Sequence, residues 1–242
     1  MDAYALIGES LQHSFSPDYF NQKFHSEKIN AFYKLIEVTK EAALNEISFW
    51  NYKGLNVTIP YKKAILKSCT QIDEHTKAIG AANTLKPLPN KQLKGFNTDW
   101  IGFKNSLLPL LKLTDQSALI LGTGGSSEAV IYALKQLGIG IYVASRNPKN
   151  DELSYSELHS DFLNSVQLII NTTPVGMYPQ TDALPPVPVS ALTKKHLVYD
   201  LIYNPNPTLL LKQALKAGCR VKSGYEMLKL QAEASWAVWN NY

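Results

Sequence analysis

The sequence predicts an α/β protein built from two units, and three observations carry that prediction. Short apolar runs alternate with helix-like segments from residue 2 to about 98. A strand, a glycine-rich loop, a helix and a second strand follow one another between about 118 and 145, which is a βαβ-type unit. Beyond it, more apolar runs and a helix stopped by glycine continue the alternation.

In the first unit the runs AYALIG, AFYKLIEV, GLNVTI and ANTLKPL read as strands, with helices near 17–28, 40–50 and 61–69. The helix near residue 17 has a start signal: Ser16 can cap it, and Pro17 suits the first helical position, where a missing N–H costs nothing. A helix near 100–112 and a polar break at Thr114–Gln116 lead to the second unit. There ALIL is a strand, GTGGSS a loop, SEAVIYALKQL a helix stopped at Gly138, and GIYVAS the next strand. VQLIIN and HLVYDLIY read as further strands, and Asn206–Ala217 as a helix ended by Gly218, so the unit is doubly wound. Residues 224–240 form a last amphipathic helix, with Met227, Leu230, Ala234 and Val238 or Trp239 at helical spacing. The Pro-rich 183–190 reads as a surface loop.

Composition bounds the function. The chain has 242 residues, 45% hydrophobic and 18% charged, enough apolar material for buried cores in one large domain or two smaller ones. Lys plus Arg number 24 against 20 Asp plus Glu, for a formal charge of +4, and the basic residues are scattered. That balance suits anionic small molecules and falls short of a nucleic-acid-binding signature. Cys69 and Cys219 lie far apart with no C-x-x-C pair, which argues against a disulfide framework or structural zinc and for reduced thiols. MDAYALIGES lacks a basic segment followed by a long apolar one, and no window reaches about 18 uninterrupted apolar residues, so a soluble cytoplasmic protein without a membrane partner is expected. The five histidines, His13, His25, His75, His159 and His196, show no metal-ligand spacing, so no metal is expected.

The loop Gly122-Thr123-Gly124-Gly125-Ser126-Ser127 lies between a strand and a helix, the context a dinucleotide-binding loop requires. Glycines let the backbone approach a pyrophosphate, and the helix start favours its negative charge. Ser127 stands at the third fingerprint position in place of Gly or Ala, and a glycine-rich turn without a ligand is the alternative reading. The second strand ends Ala144-Ser145-Arg146-Asn147, without the acid that would take a ribose hydroxyl. Arg146 can instead accept a 2′-phosphate through its forked donors, so NADP is preferred over NAD; an ordinary exposed arginine is the other reading.

Four polar clusters stand where strands end in the first unit: His13–Pro17, Asn56–Lys62, Gly80–Thr84 and Gly95–Asp99. Taken singly each has a structural reading, with Ser16 and Asp99 as helix caps, Thr58 as an edge-strand residue and Asn83 as a turn residue. Lys62 is harder to explain that way, because a lysine just inside a helix start faces the positive end of the dipole. A lysine beside an aspartate in a closed cleft suits proton transfer.

The ordered set S-x-S-P (Ser14–Pro17), N-V-T-x-P-x-K (Asn56–Lys62), G-A-x-N-T (Gly80–Thr84), G-x-N-T-D (Gly95–Asp99), G-x-G-G (Gly122–Gly125), N-x-T-x-x-G-M (Asn171–Met177) and M-L-x-x-Q-A (Met227–Ala232) resembles the shikimate dehydrogenase family along essentially the whole chain. The resemblance implies an N-terminal α/β substrate domain and a Rossmann-type doubly wound cofactor domain with the active-site cleft between them. It places the domains at 1–99 and 100–223, with the last helix, 224–242, returning to the first. It further implies NADPH-dependent, reversible reduction of 3-dehydroshikimate to shikimate, a step of aromatic amino acid biosynthesis. Lys62 and Asp99 would be the catalytic pair, Lys62 protonating the carbonyl oxygen as hydride arrives from the nicotinamide. Ser14, Ser16, Thr58, Asn83, Asp99 and Gln231 would hydrogen-bond the carboxylate and hydroxyls of shikimate. Asn171, Thr172 and Met177 would surround the cofactor, with Gly122, Thr123, Gly124, Gly125, Ser126 and Arg146, and Tyr203 and Gly224 would lie near the junction of substrate and nicotinamide.

Two departures bear on these expectations. Where the family has N-R-T followed by another basic residue, this chain has Ser145-Arg146-Asn147 and then Pro148-Lys149-Asn150, so the second arginine is absent and Lys149 is a shifted substitute. The chain is also short for the family, which suggests trimmed loops. Two alternatives follow: a quinate/shikimate dehydrogenase with relaxed NAD and NADP use, and a non-catalytic module that senses NADP or a metabolite. Intact Lys62 and Asp99 and the lack of a DNA-binding appendage weigh against the second. A monomer or homodimer is expected.

Overall fold

The computed structural model describes residues 1–12 and 14–240, apart from the side chains at positions 42 and 43; His13 and the end of the predicted 224–242 helix lie outside the described residues. The chain forms two compact units, one of Met1–Gly102 with the chain from Leu230 onward, the other of Phe103–Lys229.

The first unit contains β1 (Asp2–Gly8), α1 (Phe15–Ser26), β2 (Ala31–Glu37), β3 (Gly54–Val57), β4 (Gln71–Ile72), α2 (Glu74–Ile79), β5 (Thr84–Leu88), β6 (Gln92–Phe96) and the start of α3 (Asp99–Leu107). Its strands make one mixed sheet in the order β2-β1-β3-β5-β6-β4. β1 runs parallel to both β2 and β3, and β5 runs antiparallel to β3 and β6.

Alternation along β1 shows how this sheet is covered. Ala5 and Ile7 join Leu55, Val57, Leu85 and Leu93 under Phe49, Tyr61 and Ile65, while Tyr4 and Leu6 face the opposite way, onto Phe20 and Phe24 of α1 and onto Ala232 and Trp239 of the last helix. Trp239 lies so close to β3 that a Cβ on Gly54 would fall 2.3 Å from its Nε1, and that nitrogen donates to the Leu85 carbonyl at 3.1 Å. A buried tryptophan of this kind holds about 3–5 kcal/mol against truncation to alanine.

The second unit holds β7 (Ser117–Leu121), α4 (Gly125–Gln136), β8 (Gly140–Ser145), β9 (Leu153–Ser154), α5 (Ser160–Ser165), β10 (Leu168–Asn171), β11 (Leu197–Asp200), α6 (Leu209–Lys216), β12 (Arg220–Ser223) and the start of α7 (Tyr225–Asn240). Its six strands are all parallel, in the order β12-β11-β10-β7-β8-β9. The order reverses between β7 and β10, so the loops leaving the carboxyl ends of these two strands flank the crevice where doubly wound sheets take ligands. The central strands are buried on both faces, which is why ALIL and LIIN read as unbroken apolar runs.

Several local expectations are corrected. α1 starts at Phe15, so Ser14 occupies the cap position without a side-chain cap bond, Ser16 is not the cap, and Pro17 is the third helical residue, where its missing N–H still costs nothing. No α-helix forms at 40–50 or 61–69; short 3₁₀ segments at Glu41–Glu46, Phe49–Asn51 and Ala64–Ser68 replace them. Lys62 therefore lies in a turn, and the argument from a helix dipole does not apply to it. The helix near 100–112 ends at Leu107 and continues as a 3₁₀ turn, and that at 206–217 is shorter, because Thr208 caps α6 by accepting from Leu211 N at 3.3 Å. β4, β6, β9, β12, α2 and α5 carry weak local signals; the β5–β6 hairpin turns on Asn90 and Lys91, both at positive φ (59° and 52°), a turn that a Pro-Asn-Lys triplet advertises poorly. The buried face of α7 is also rotated from the expected stripe: Met227, Gln231, Ala232, Ser235 and Trp239 are buried, and two of these are polar.

Cys69 and Cys219 are free thiols. Among the described residues no helix is long and apolar enough to cross a membrane.

Candidate active site

In the first unit, Lys62 reaches the site from the turn after β3, Asn83 from the residue before β5, Asp99 from the start of α3, and Gln231 from α7. Lys62 Nζ donates to Asp99 Oδ2 at 2.7 Å. Asn83 Nδ2 donates to the other carboxylate oxygen at 2.8 Å and lies 3.3 Å from Gln231 Oε1. All four residues are at least nine-tenths buried. Both oxygens of Asp99 are thus engaged, which sets the plane of the carboxylate and the direction of the ammonium.

Backbone contacts explain why these side chains converge. Asn97 Oδ1 accepts from Asp99 N at 3.0 Å and Trp100 N at 3.4 Å, so Asn97, not Asp99, caps α3 and leaves the Asp99 carboxylate free to face Lys62. Asn97 Nδ2 in turn donates to the Ala81 carbonyl at 2.8 Å, and Ala82 N to the Lys62 carbonyl at 2.8 Å, tying the three segments together.

Beneath this cluster lies a buried polar network. Asn56 Nδ2 donates to the Asn83 carbonyl at 3.1 Å and to Ser235 Oγ at 3.0 Å, and Tyr33 donates its phenol proton to Asn56 Oδ1 at 2.8 Å. Ser16 bonds the Tyr33 phenol, whose burial holds it well above its ordinary pKa while the Ser16 bond opposes the shift. Ser16 therefore joins the cluster through Tyr33 and Asn56. Ser14 and Thr58 stand half-buried outside these bonds, among the described residues. The glycine at position 8 leaves room for Thr58: a Cβ there would come within 2.6 Å of its methyl carbon. Thr84 Oγ1 accepts from Asn56 Nδ2 at 3.1 Å and Thr98 Oγ1 from Asn83 Nδ2 at 3.0 Å; Asn56, Thr84 and Thr98 lie inside the sequence motifs, whereas Tyr33 and Ser235 carry no local signal.

In the second unit Gly122 directly follows β7 at φ +101°, a backbone conformation that favours glycine, and a Cβ there would fall 2.7 Å from the Thr173 methyl. Ser127 is buried and donates to the Gly122 carbonyl at 2.8 Å, closing the loop where Gly or Ala was expected. Thr123 and Gly124 are exposed, Gly125 and Ser126 half-buried, and a Cβ on Gly124 would meet nothing within 4 Å. Helix α4 starts there with no side-chain cap. An open glycine backbone leading into an uncapped helix start fits a pyrophosphate. Asn171 and Thr172, at the end of β10, border the same loop, and Thr172 Oγ1 donates to the Leu121 carbonyl at 2.7 Å. Arg146 is exposed just past the end of β8, with Tyr155 within its electrostatic reach. Met177 is exposed and Tyr203 half-buried. Gly224 admits no side chain, since a Cβ would sit 1.9 Å from the Leu201 carbonyl oxygen. Among the described residues no group of three or more His, Cys, Asp or Glu could hold a metal ion.

Comparisons with known proteins identify the family. Residues 6–85 match the family model for the shikimate dehydrogenase substrate binding domain. The chain is 37% identical over 253 residues to the shikimate dehydrogenase (NADP(+)) of Methanococcus maripaludis, covering 97% of this chain and 89% of that protein. The crystal structure of shikimate dehydrogenase from Aquifex aeolicus superposes with a TM-score of 0.90 at 32% identity, covering 100% of this chain and 93% of that one. Shikimate 5-dehydrogenase from Thermus thermophilus, in complex with NADP(H) and shikimate, gives a TM-score of 0.87 at 27% identity, with coverage of 100% and 94%. Near-complete coverage at this level of identity, over two α/β units with the parallel sheet in the second, shows that the chain belongs to the shikimate dehydrogenase family.

Proposed function

We propose that this chain is an NADP-dependent shikimate dehydrogenase that reversibly reduces 3-dehydroshikimate to shikimate. The observation that carries the reading is the buried Lys62–Asp99 pair, 2.7 Å apart and held from the other side by Asn83.

In reduction, Lys62 passes a proton from Nζ to the ketone oxygen; in oxidation it takes the proton back. Asp99 aims the ammonium, and its own orientation comes from the Asn83 amide, so the donor is oriented before substrate arrives. Ser14, Ser16, Thr58, Asn83, Asp99 and Gln231 bind the carboxylate and hydroxyls of the substrate, with Tyr203 as a further contact. NADPH, when bound, supplies the hydride. The Gly122–Ser126 loop takes its pyrophosphate, Arg146 its 2′-phosphate, and Asn171, Thr172, Met177 and Gly224 the remainder of the dinucleotide. The chain acts on a small molecule as a monomer or homodimer in the cytoplasm.

Steady-state rates with shikimate or quinate, each paired with NADP or NAD, test the assignment. Shikimate with NADP is expected to give the highest kcat/KM. Comparable turnover of quinate would remove the substrate assignment, and comparable use of NAD would remove the cofactor preference.

A further inference from the structure

One carboxylate in the second unit has no part in the function proposed above. Asp200 closes β11 and is completely buried, at 0% exposure. Three donors from three separate segments converge on it. Asn171 Nδ2 and Ile202 N reach Oδ1 at 3.0 and 3.1 Å, and Thr208 Oγ1 reaches Oδ2 at 2.7 Å.

Two of these bonds continue toward residues of the nucleotide set, and the third ties Asp200 to the cap of α6. An ionised carboxylate can only accept, so it fixes the Asn171 amide with its nitrogen toward β11 and its oxygen outward. That oxygen accepts from Thr173 N at 3.0 Å and Thr173 Oγ1 at 2.7 Å. Thr173 is the residue whose methyl fills the space beside Gly122, so the amide orientation sets how the β10 loop meets the glycine loop. On the other side the Ile202 carbonyl accepts from Gly224 N at 3.2 Å. A single side chain thus sets the β10 loop and the Ile202–Gly224 contact together.

Retaining a charge here is costly. Burial pushes the Asp200 carboxyl up to about 6, and the three hydrogen bonds only partly offset that shift. A neutral side chain would fill the same volume with less penalty, so packing alone does not account for an acid at this position.

We propose that Asp200 is a positioning residue of the nucleotide site: without contacting the dinucleotide, it holds Asn171 and the Ile202–Gly224 contact in the arrangement that binds it. The proposal rests on the assignment of the second unit to NADP.

Asp200→Ala and Asp200→Asn, compared with the wild-type chain, test it. NADP and shikimate dissociation constants would be measured by calorimetric titration, alongside kcat and Tm. Alanine is expected to weaken NADP binding about tenfold or more while shikimate affinity stays within about twofold, since it removes the acceptor of all three hydrogen bonds within the second unit. Asparagine keeps an acceptor for Asn171 and Ile202 and is expected to restore NADP affinity to within about threefold of wild type. The proposal is overturned if NADP affinity of the alanine variant stays within twofold, if shikimate affinity falls in parallel, or if asparagine fails to rescue. Should alanine not fold, Asp200→Ser, too short to reach Asn171, is read the same way; failure of both to fold beside a normal asparagine variant would make Asp200 a purely structural residue and overturn the proposal. A wild-type chain that binds no NADP would instead remove the functional assignment itself.

Discussion

Lys62 Nζ and Asp99 Oδ2 stand 2.7 Å apart with side chains only 11% and 8% exposed, an ion pair almost wholly removed from water. Removing the ammonium deletes the proposed proton donor and leaves the substrate-binding hydrogen bonds of the neighbouring residues in place. Lys62→Ala is therefore expected to lower kcat by about 10²–10⁴-fold with shikimate KM changed only a few-fold. Because the substitution also leaves a buried carboxylate without its cation, Tm is expected to fall as well, and rates should be taken well below it. An unchanged kcat would exclude Lys62 from the chemistry.

On the proposed assignment Arg146, with no second arginine beside it, would carry the discrimination for the 2′-phosphate. Charge-assisted hydrogen bonds contribute about 1.5–3 kcal/mol, and Arg146→Ala should therefore raise KM for NADP on the order of 10–100-fold. NAD lacks the phosphate, and its KM is expected to stay within a few-fold. Parallel initial-rate measurements with the two cofactors decide the matter; equal effects would show that Arg146 does not clamp the phosphate.

The buried Asp200 carboxyl gives stability a pH signature. Its native pKa of about 6 lies above its ordinary value of 3.8, so the native state holds the proton more tightly than the unfolded chain does. Its contribution is complete below about pH 4 and is lost as pH rises through about 6, leaving a penalty on the order of 2–3 kcal/mol at neutral pH. Asp200→Asn cannot ionise. Its Tm relative to wild type is expected to rise between about pH 4 and 6 and to level off above that range, whatever constant offset its altered hydrogen bonds add. Thermal melts of both proteins across this range make the comparison, and a difference independent of pH would mean that the carboxyl titrates near its ordinary value.

The α/β class, the four central strands of the parallel sheet and the glycine loop were legible because each is written within a short window. An unbroken apolar run such as ALIL, a Gly-x-Gly-Gly turn and a helical stripe need no distant partner to be recognised. Weaker elements escaped for the converse reason: β6 reads QLKGF, with charge and glycine in so short a strand, and the 3₁₀ segments before and after β3 follow no period long enough to register.

The sequence by itself determined which residue types are available for chemistry, and in which order along the chain. Tertiary structure decided what each faces. Lys62 looked anomalous at a supposed helix start, yet it sits in a turn opposite a carboxylate 37 positions away. Gln231 meets Asn83 across 148 positions, and Ser235 and Tyr33 enter the same buried network with no motif to mark them. Asp200 became conspicuous only once three segments were seen to donate to it. Buried polar groups must find partners, and folding alone brings those partners within hydrogen-bonding distance.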